Sequence, residues 1–230
     1  MRKRPSQTLV PQTLVPQALA PQDHNPTQLS RRAIVAGLPL LLAGCAGGVG
    51  SFGGYGSVQD GGFNVAAVDI TNMDSSLMRT EVAWKGNEKP GSIVVNVPER
   101  RLYLVQAGGR ALRYGVGVGR TEGMNFRGSA VVGRKEKWPH WTPTANMIAA
   151  IPMYRSYRGG MQGGPDNPLG PRALYLYRDG RDTYFRLHGT TEPETIGQAV
   201  SSGCIRLFNQ DIIDLYNRVP VGTHVTVVQG

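Results

Sequence analysis

The chain has 230 residues, 40% of them hydrophobic, enough for one domain with a buried core and additional segments. Its 31 glycines and 16 prolines argue against a helical bundle and for a loop-rich, mainly β architecture. Of the net charge of +9, residues 1–44 supply four units, with five Lys/Arg against one Asp, and the remainder carries +5; with no basic run interleaved with aromatics, a nucleic-acid partner is not expected.

Three near-copies of a QTLVP pentamer, Gln7–Pro11, Gln12–Pro16 and Gln17–Pro21, open the chain. A proline at every fifth position blocks both helix and central strand, so residues 1–29 read as a disordered, partly polyproline leader. The alternative is translated sequence upstream of the true start. Residues 30–45 read as an export signal: Ser30-Arg31-Arg32, then an apolar run Ala33–Ala43 too short to span a bilayer. The paired arginines resemble a twin-arginine signal without its usual phenylalanine. Leu42-Ala43-Gly44-Cys45 resembles a bacterial lipobox, which would place lipid on Cys45 and the protein on the periplasmic face of a membrane. Ordinary cleavage near Ala43–Ala46 is the competing reading. The chain has two cysteines; with Cys45 lipidated, Cys204 has no disulfide partner, and an unpaired thiol in an exported protein points to reactivity.

Residues 46–91 read as a Gly/Ser-rich tether to about Phe63, followed by an extended N-terminal segment packed on the domain. From Ser92 the β signal is clear. Ile93–Val97, Arg101–Ala107, Leu112–Gly119 and Ser129–Glu136 are β-branched or alternating runs separated by turn residues. Trp138-Pro139-His140-Trp141-Thr142-Pro143 forms a rigid aromatic elbow, either a groove wall or a core corner, and Ala145–Ala150 a short helix. Residues 154–171 have no secondary-structure period and read as a lid or substrate-positioning loop. Ala173–Arg178 and Thr183–Leu187 pair across Asp179-Gly180, a strong hairpin signal. Pro193–Val200 reads as a short helix capped by Thr191 or Glu192, and Asn209 as the cap of a helix to about Arg218. His224–Val228 is a last strand.

His188 ends the second hairpin strand, and Cys204 lies in Ser201-Ser202-Gly203-Cys204-Ile205-Arg206-Leu207. A thiol is a few per cent ionised at neutral pH, and a neighbouring imidazole that takes its proton yields a reactive thiolate. The pairing predicts a thiol more acidic than free cysteine. Gly203 permits close backbone approach, so the amides around Ser202, Gly203 and Cys204 are candidates to hold an oxyanion. The bland alternative for Cys204 is a small buried hydrophobe. A zinc site is poorly supported, without a CxxC or suitably spaced histidines.

His188-Gly189-Thr190, a spacer, and Ser201–Leu207 together resemble the signature of the YkuD-type L,D-transpeptidases, and the resemblance runs from about Ser92 to the C-terminus, including Asn167-Pro168-Leu169-Gly170. It implies an L,D-transpeptidase-like β-sandwich or barrel with short helices over residues 92–230. It also implies Cys204 as nucleophile, His188 as general base and acid, and the Gly189 carbonyl as the group orienting the ring. Arg206 is implied as a structural or substrate-facing group, and Tyr175 or Tyr177 as reaching the cleft. The implied partners are peptidoglycan stem peptides and a wall-anchored lipoprotein, with no metal or organic cofactor. A same-site hydrolase and a non-catalytic wall-binding lipoprotein are the rival functions.

Overall fold

A computed structural model describes residues 54–229. The repeat leader, the export signal, lipobox Cys45 and the start of the tether lie outside the described residues. Thirteen strands are present among them: β1 (Val58–Asp60), β2 (Phe63–Val65), β3 (Thr80–Ala83), β4 (Ile93–Asn96), β5 (Arg101–Gln106), β6 (Arg110–Gly115), β7 (Val118–Gly119), β8 (Gly128–Lys137), β9 (Arg172–Arg178), β10 (Arg181–His188), β11 (Ala199–Ser201), β12 (Ile205–Arg206) and β13 (His224–Val228). The helices are short, α1 (Ala145–Ala150) and α2 (Asn209–Arg218), beside several 3-10 turns.

The expected strands fall in one nine-stranded mixed sheet, ordered β12-β10-β9-β8-β13-β4-β5-β6-β3, except that Leu112–Gly119 divides: β6 joins this sheet and β7 pairs with β11 outside it. Strand β4 is apolar on both faces, with Ile93, Val94 and Val95 all buried, as suits a central strand. Strand β13 alternates, sending Val225 and Val227 inward and leaving His224 exposed. Leu102, Leu104 and Tyr114 from one arm of the sheet meet Leu187 and Ile205 from the other, with Ile212 of α2, in a single core. The sheet therefore curls on itself. Its edge strand β12 meets the chain just after β6, where the Gly117 amide donates to the Arg206 carbonyl and the Arg206 amide returns the bond, each 2.9 Å. That near-closure is the barrel-like form of the mainly β fold.

Three local expectations change. The folded unit starts well before residue 92. Gly61 and Gly62, at φ of 59° and 87°, turn β1 into β2, and β3 pairs along its length with β6. Tyr55, placed in the tether by composition, packs on Phe208 at 5.4 Å and donates its hydroxyl to both Asp211 oxygens at 2.9 Å. Asp211 is fully buried, and burial pushes its carboxyl up to about 7 against the pull of Arg79. The helix expected at Pro193–Val200 is a 3-10 turn of Pro193–Thr195 only. Gly197, at φ 84°, breaks it, and β11 then pairs in parallel with β7. Finally, Phe208 occupies the cap position of α2 and Asn209 is the first helical residue; the Asn209 side chain is spent elsewhere.

Candidate active site

Register builds the site. Strands β10 and β12 run parallel, pairing Leu187 with Ile205 and His188 with Arg206. Leu187 and Ile205 point into the core. Alternation then sends Arg186, His188, Cys204 and Arg206 to the opposite face, where all four line one cleft of about 1060 Å³. The chain thus brings His188 and Cys204 together across two neighbouring strand ends.

His188 is 5% exposed, and its ring Nδ1 lies 2.6 Å from the Gly189 carbonyl oxygen. A carbonyl only accepts, so Nδ1 carries the proton and Nε2 is left as the acceptor. The Gly189 turn is itself held: the Asn209 Oδ1 accepts from the Thr190 amide at 2.9 Å. A Cβ on Gly189 would meet that oxygen at 2.3 Å. Burial, then the nearby Arg206 and Arg186 charges, push the His188 imidazole down to about 4, although the Gly189 bond pulls the other way.

Cys204 is half-buried at the base of the cleft. Burial pushes its thiol up, opposed by the Arg186 backbone amide and by the Arg186 and Arg206 charges. Its hydrogen-bond contact here is the Tyr184 carbonyl, 3.9 Å away, not the His188 ring. Both the contact and the upward push on the thiol disfavour the expected thiolate–imidazolium pair in this arrangement. Both shifts favour a neutral thiol beside a neutral imidazole, because the cleft floor desolvates either charge before substrate supplies a reason to form it.

Gly203 sits at φ 123°, a region open to glycine, and its amide donates to Ser201 Oγ at 3.0 Å. Its amide is thus engaged, which removes it from the expected oxyanion donors. Ser202 is exposed in the cleft and precedes it. Arg206 donates to Glu192 at 2.6 Å, while the same residue's backbone closes the sheet. Tyr175 reaches the cleft wall, but its hydroxyl is turned to Glu136 at 2.6 Å. The ring is flanked by the Arg134 and Arg186 guanidiniums at 3.6 and 4.3 Å.

The aromatic elbow divides. Trp141 is buried along the cleft, its ring 5.2 Å from Tyr154, whereas Trp138 turns away to Phe63 and donates to Asp60 at 2.8 Å. The 154–171 segment is tied to the elbow. Trp141 and Met161 exchange backbone hydrogen bonds of 2.9 and 2.7 Å, and buried Asn167 donates to the Pro139 and Gln162 carbonyls at 3.0 Å. Sequence reasoning did not single out Asn167's tying role, nor Arg134, Arg186 and Tyr184 at the cleft. Tyr184 carried no signal; it is 79% exposed at φ 64°, in an irregular stretch of β10.

Residues 90–227 match the family model "YkuD: L,D-transpeptidase catalytic domain". Among curated relatives, the probable L,D-transpeptidase YbiS of Escherichia coli K12 is 39% identical over 170 residues, covering 69% of this chain and 49% of its own. The probable L,D-transpeptidase ErfK/SrfK of Salmonella typhimurium is 40% identical over 141 residues, covering 59% and 43%. A solved Brucella melitensis structure, described as a probable carnitine operon oxidoreductase caia, is 45% identical with a TM-score of 0.47, covering 70% of this chain and 99% of that one. The chain spans somewhat under half the length of those two curated relatives. The model match extends over more than half of the chain, from before β4 into β13, and takes in both His188 and Cys204: the chain belongs to the YkuD L,D-transpeptidase catalytic domain family.

Proposed function

We propose that this chain is a cysteine-dependent L,D-transpeptidase acting on peptidoglycan stem peptides. The observation that supports it most is the shared cleft face of His188 and Cys204, with the Gly189 carbonyl fixing Nε2 as the free base. Substrate occupying the cleft brings the thiol to Nε2, and the proton moves from Sγ to the ring as Sγ attacks the carbonyl carbon. That carbonyl belongs to the amide between the L-centre of diaminopimelate and a terminal D-alanine. With the Gly203 amide engaged, the backbone amides of Ser202 and Cys204 are the donors left to hold the developing oxyanion. The tetrahedral species collapses as His188 returns the proton to the leaving D-alanine nitrogen, leaving a thioester on Cys204. An amine, from a second stem or a lipoprotein lysine, then attacks the thioester and regenerates the thiol. Arg206, paired with Glu192, serves to hold the two loops that carry His188 and Cys204.

Water is the competing acceptor. The Trp141 wall and the tied 154–171 segment provide material to keep it poorly placed. Purified protein given a disaccharide-tetrapeptide should release D-alanine and form a dimer linked diaminopimelate to diaminopimelate, read by mass spectrometry. Tripeptide alone, with acceptor stems and a lysine peptide both in excess, would instead establish the hydrolase. For location, we infer export and lipidation at Cys45 from the lipobox. Wild-type protein should partition into detergent and Cys45→Ala should not; identical soluble behaviour of the two would favour ordinary cleavage.

A further inference from the structure

Four arginines line the cleft, and three of them are already neutralised. Arg134 meets Glu136, Arg186 holds Asp182 through two bonds of 2.7 and 2.9 Å, and Arg206 holds Glu192. Arg120 is the exception: among the described residues it has no carboxylate partner, and its guanidinium reaches only the Val200 carbonyl at 3.5 Å. It is exposed to the cleft, yet its backbone is fixed. Its amide donates to the Ser201 carbonyl at 2.9 Å. On either side, buried Asn125 accepts from the Gly119 amide at 2.8 Å and donates to the Thr121 carbonyl at 3.1 Å. The cleft therefore presents one uncompensated guanidinium, on a rigid backbone, beside the Ser201–Cys204 turn. Such a group seeks a planar anion it can grip with two N–H donors.

We propose that Arg120 docks the free C-terminal carboxylate of the donor stem, and so restricts attack to the bond before a terminal residue. The inference rests on the transpeptidase reading, which supplies the substrate. A terminal D-residue carries its carboxylate close to the scissile amide, where an internal residue carries only a neutral peptide group. An uncompensated cation beside the nucleophile's turn separates the two; a neutral cleft would not.

The test uses two probes, a tetrapeptide stem ending in a free carboxylate and the same stem ending in a primary amide. Full-length Cys204→Ala should bind the acid about ten- to a hundredfold more tightly than the amide, the range expected for a charge-assisted hydrogen-bonded pair. Cys204→Ala/Arg120→Ala should bind both at the amide's affinity, and Cys204→Ala/Arg120→Lys should recover part of the preference. In the Cys204 background with turnover, Arg120→Ala should raise KM for the acid more than it lowers kcat, and leave the amide unchanged. An acid preference that survives Arg120→Ala, or that is missing with Arg120 present, overturns the assignment. If the binding preference holds but the wild type releases no D-alanine from the acid, the transpeptidase reading falls and the carboxylate site stands.

Discussion

Replacing Cys204 with alanine, His188 with alanine, or both together should lower D-alanine release by nearly the same factor, at least about 10³-fold, because nucleophile and base act as one unit. Near-equality of the three variants is the point; losses that multiply would mean that the two residues work independently. The resting protonation states sharpen the expectation. With burial holding the thiol up, the His188→Ala enzyme at neutral pH has even less thiolate to offer than free cysteine. Raising the pH toward 10 should therefore restore part of its activity, and none of that of Cys204→Ala. In the wild type the base must be neutral to act, and His188 stays neutral down to about pH 4. The acid limb of the carbapenem-acylation rate should then lie well below the pH 6.5 midpoint of an ordinary histidine. Alkylation of the resting enzyme by iodoacetamide should rise only at alkaline pH. Rapid alkylation at pH 5 would establish the thiolate–imidazolium pair after all.

The same burial has a stability consequence with a definite sign. Between pH 6.5 and about 4 the unfolded chain protonates this histidine and the folded chain does not, so stability falls as the pH is lowered through that window. The full contribution is about 3 kcal/mol. Buried Asp211, pushed up to about 7, works in the opposite direction over an overlapping range. The His188 share is therefore read as the difference between wild type and His188→Gln, in which the Asp211 contribution cancels.

The sequence carried the site's residues further than it carried their chemistry. His188, Gly189 and Cys204 are legible because strand alternation and the two short motifs are local patterns, and the Asp179-Gly180 turn announces the hairpin that delivers His188. What failed depended on partners far along the chain. Tyr55 lies in a Gly/Ser-rich stretch that composition assigns to a tether, yet its hydroxyl partner is 156 residues away. Asn209 has the chemistry of a helix cap, but its oxygen is taken by the Thr190 amide, a contact that matters only once the His188 turn is in place. Pro193 is a good helix start, and the helix stops because Gly197 and the pairing of β11 with β7 redirect the chain. The proton's resting place is a matter of burial. No spacing of residues expresses how thoroughly a cleft floor excludes water.

The turn before the nucleophile leads to the second large effect. Gly203→Ala should reduce turnover by about 10²-fold or more while leaving a folded protein with a titratable thiol. Two facts converge on this position. At φ 123° an L-residue is strained wherever it is placed, at a cost of about 1–3 kcal/mol. The added Cβ would also stand 2.3 Å from the Met124 backbone carbonyl and 3.0 Å from the Phe185 ring. Met124 closes a 3-10 turn of Glu122–Met124, and a backbone atom cannot swing aside as a side-chain tip can. The turn must yield instead, and with it go the Gly203–Ser201 bond and the bearing of the Cys204 amide and sulfur. A displacement of about 1 Å at a reacting atom is enough for a loss of that order. Gly123→Ala is the matched control: it lies in the same neighbourhood, has nothing within 4 Å of its Cβ, and should keep wild-type kcat and melting temperature. Measured side by side, Gly203→Ala should melt lower than the control and acylate far more slowly with a carbapenem. Equal rates for the two variants would mean that the turn adapts without cost and does not aim the nucleophile.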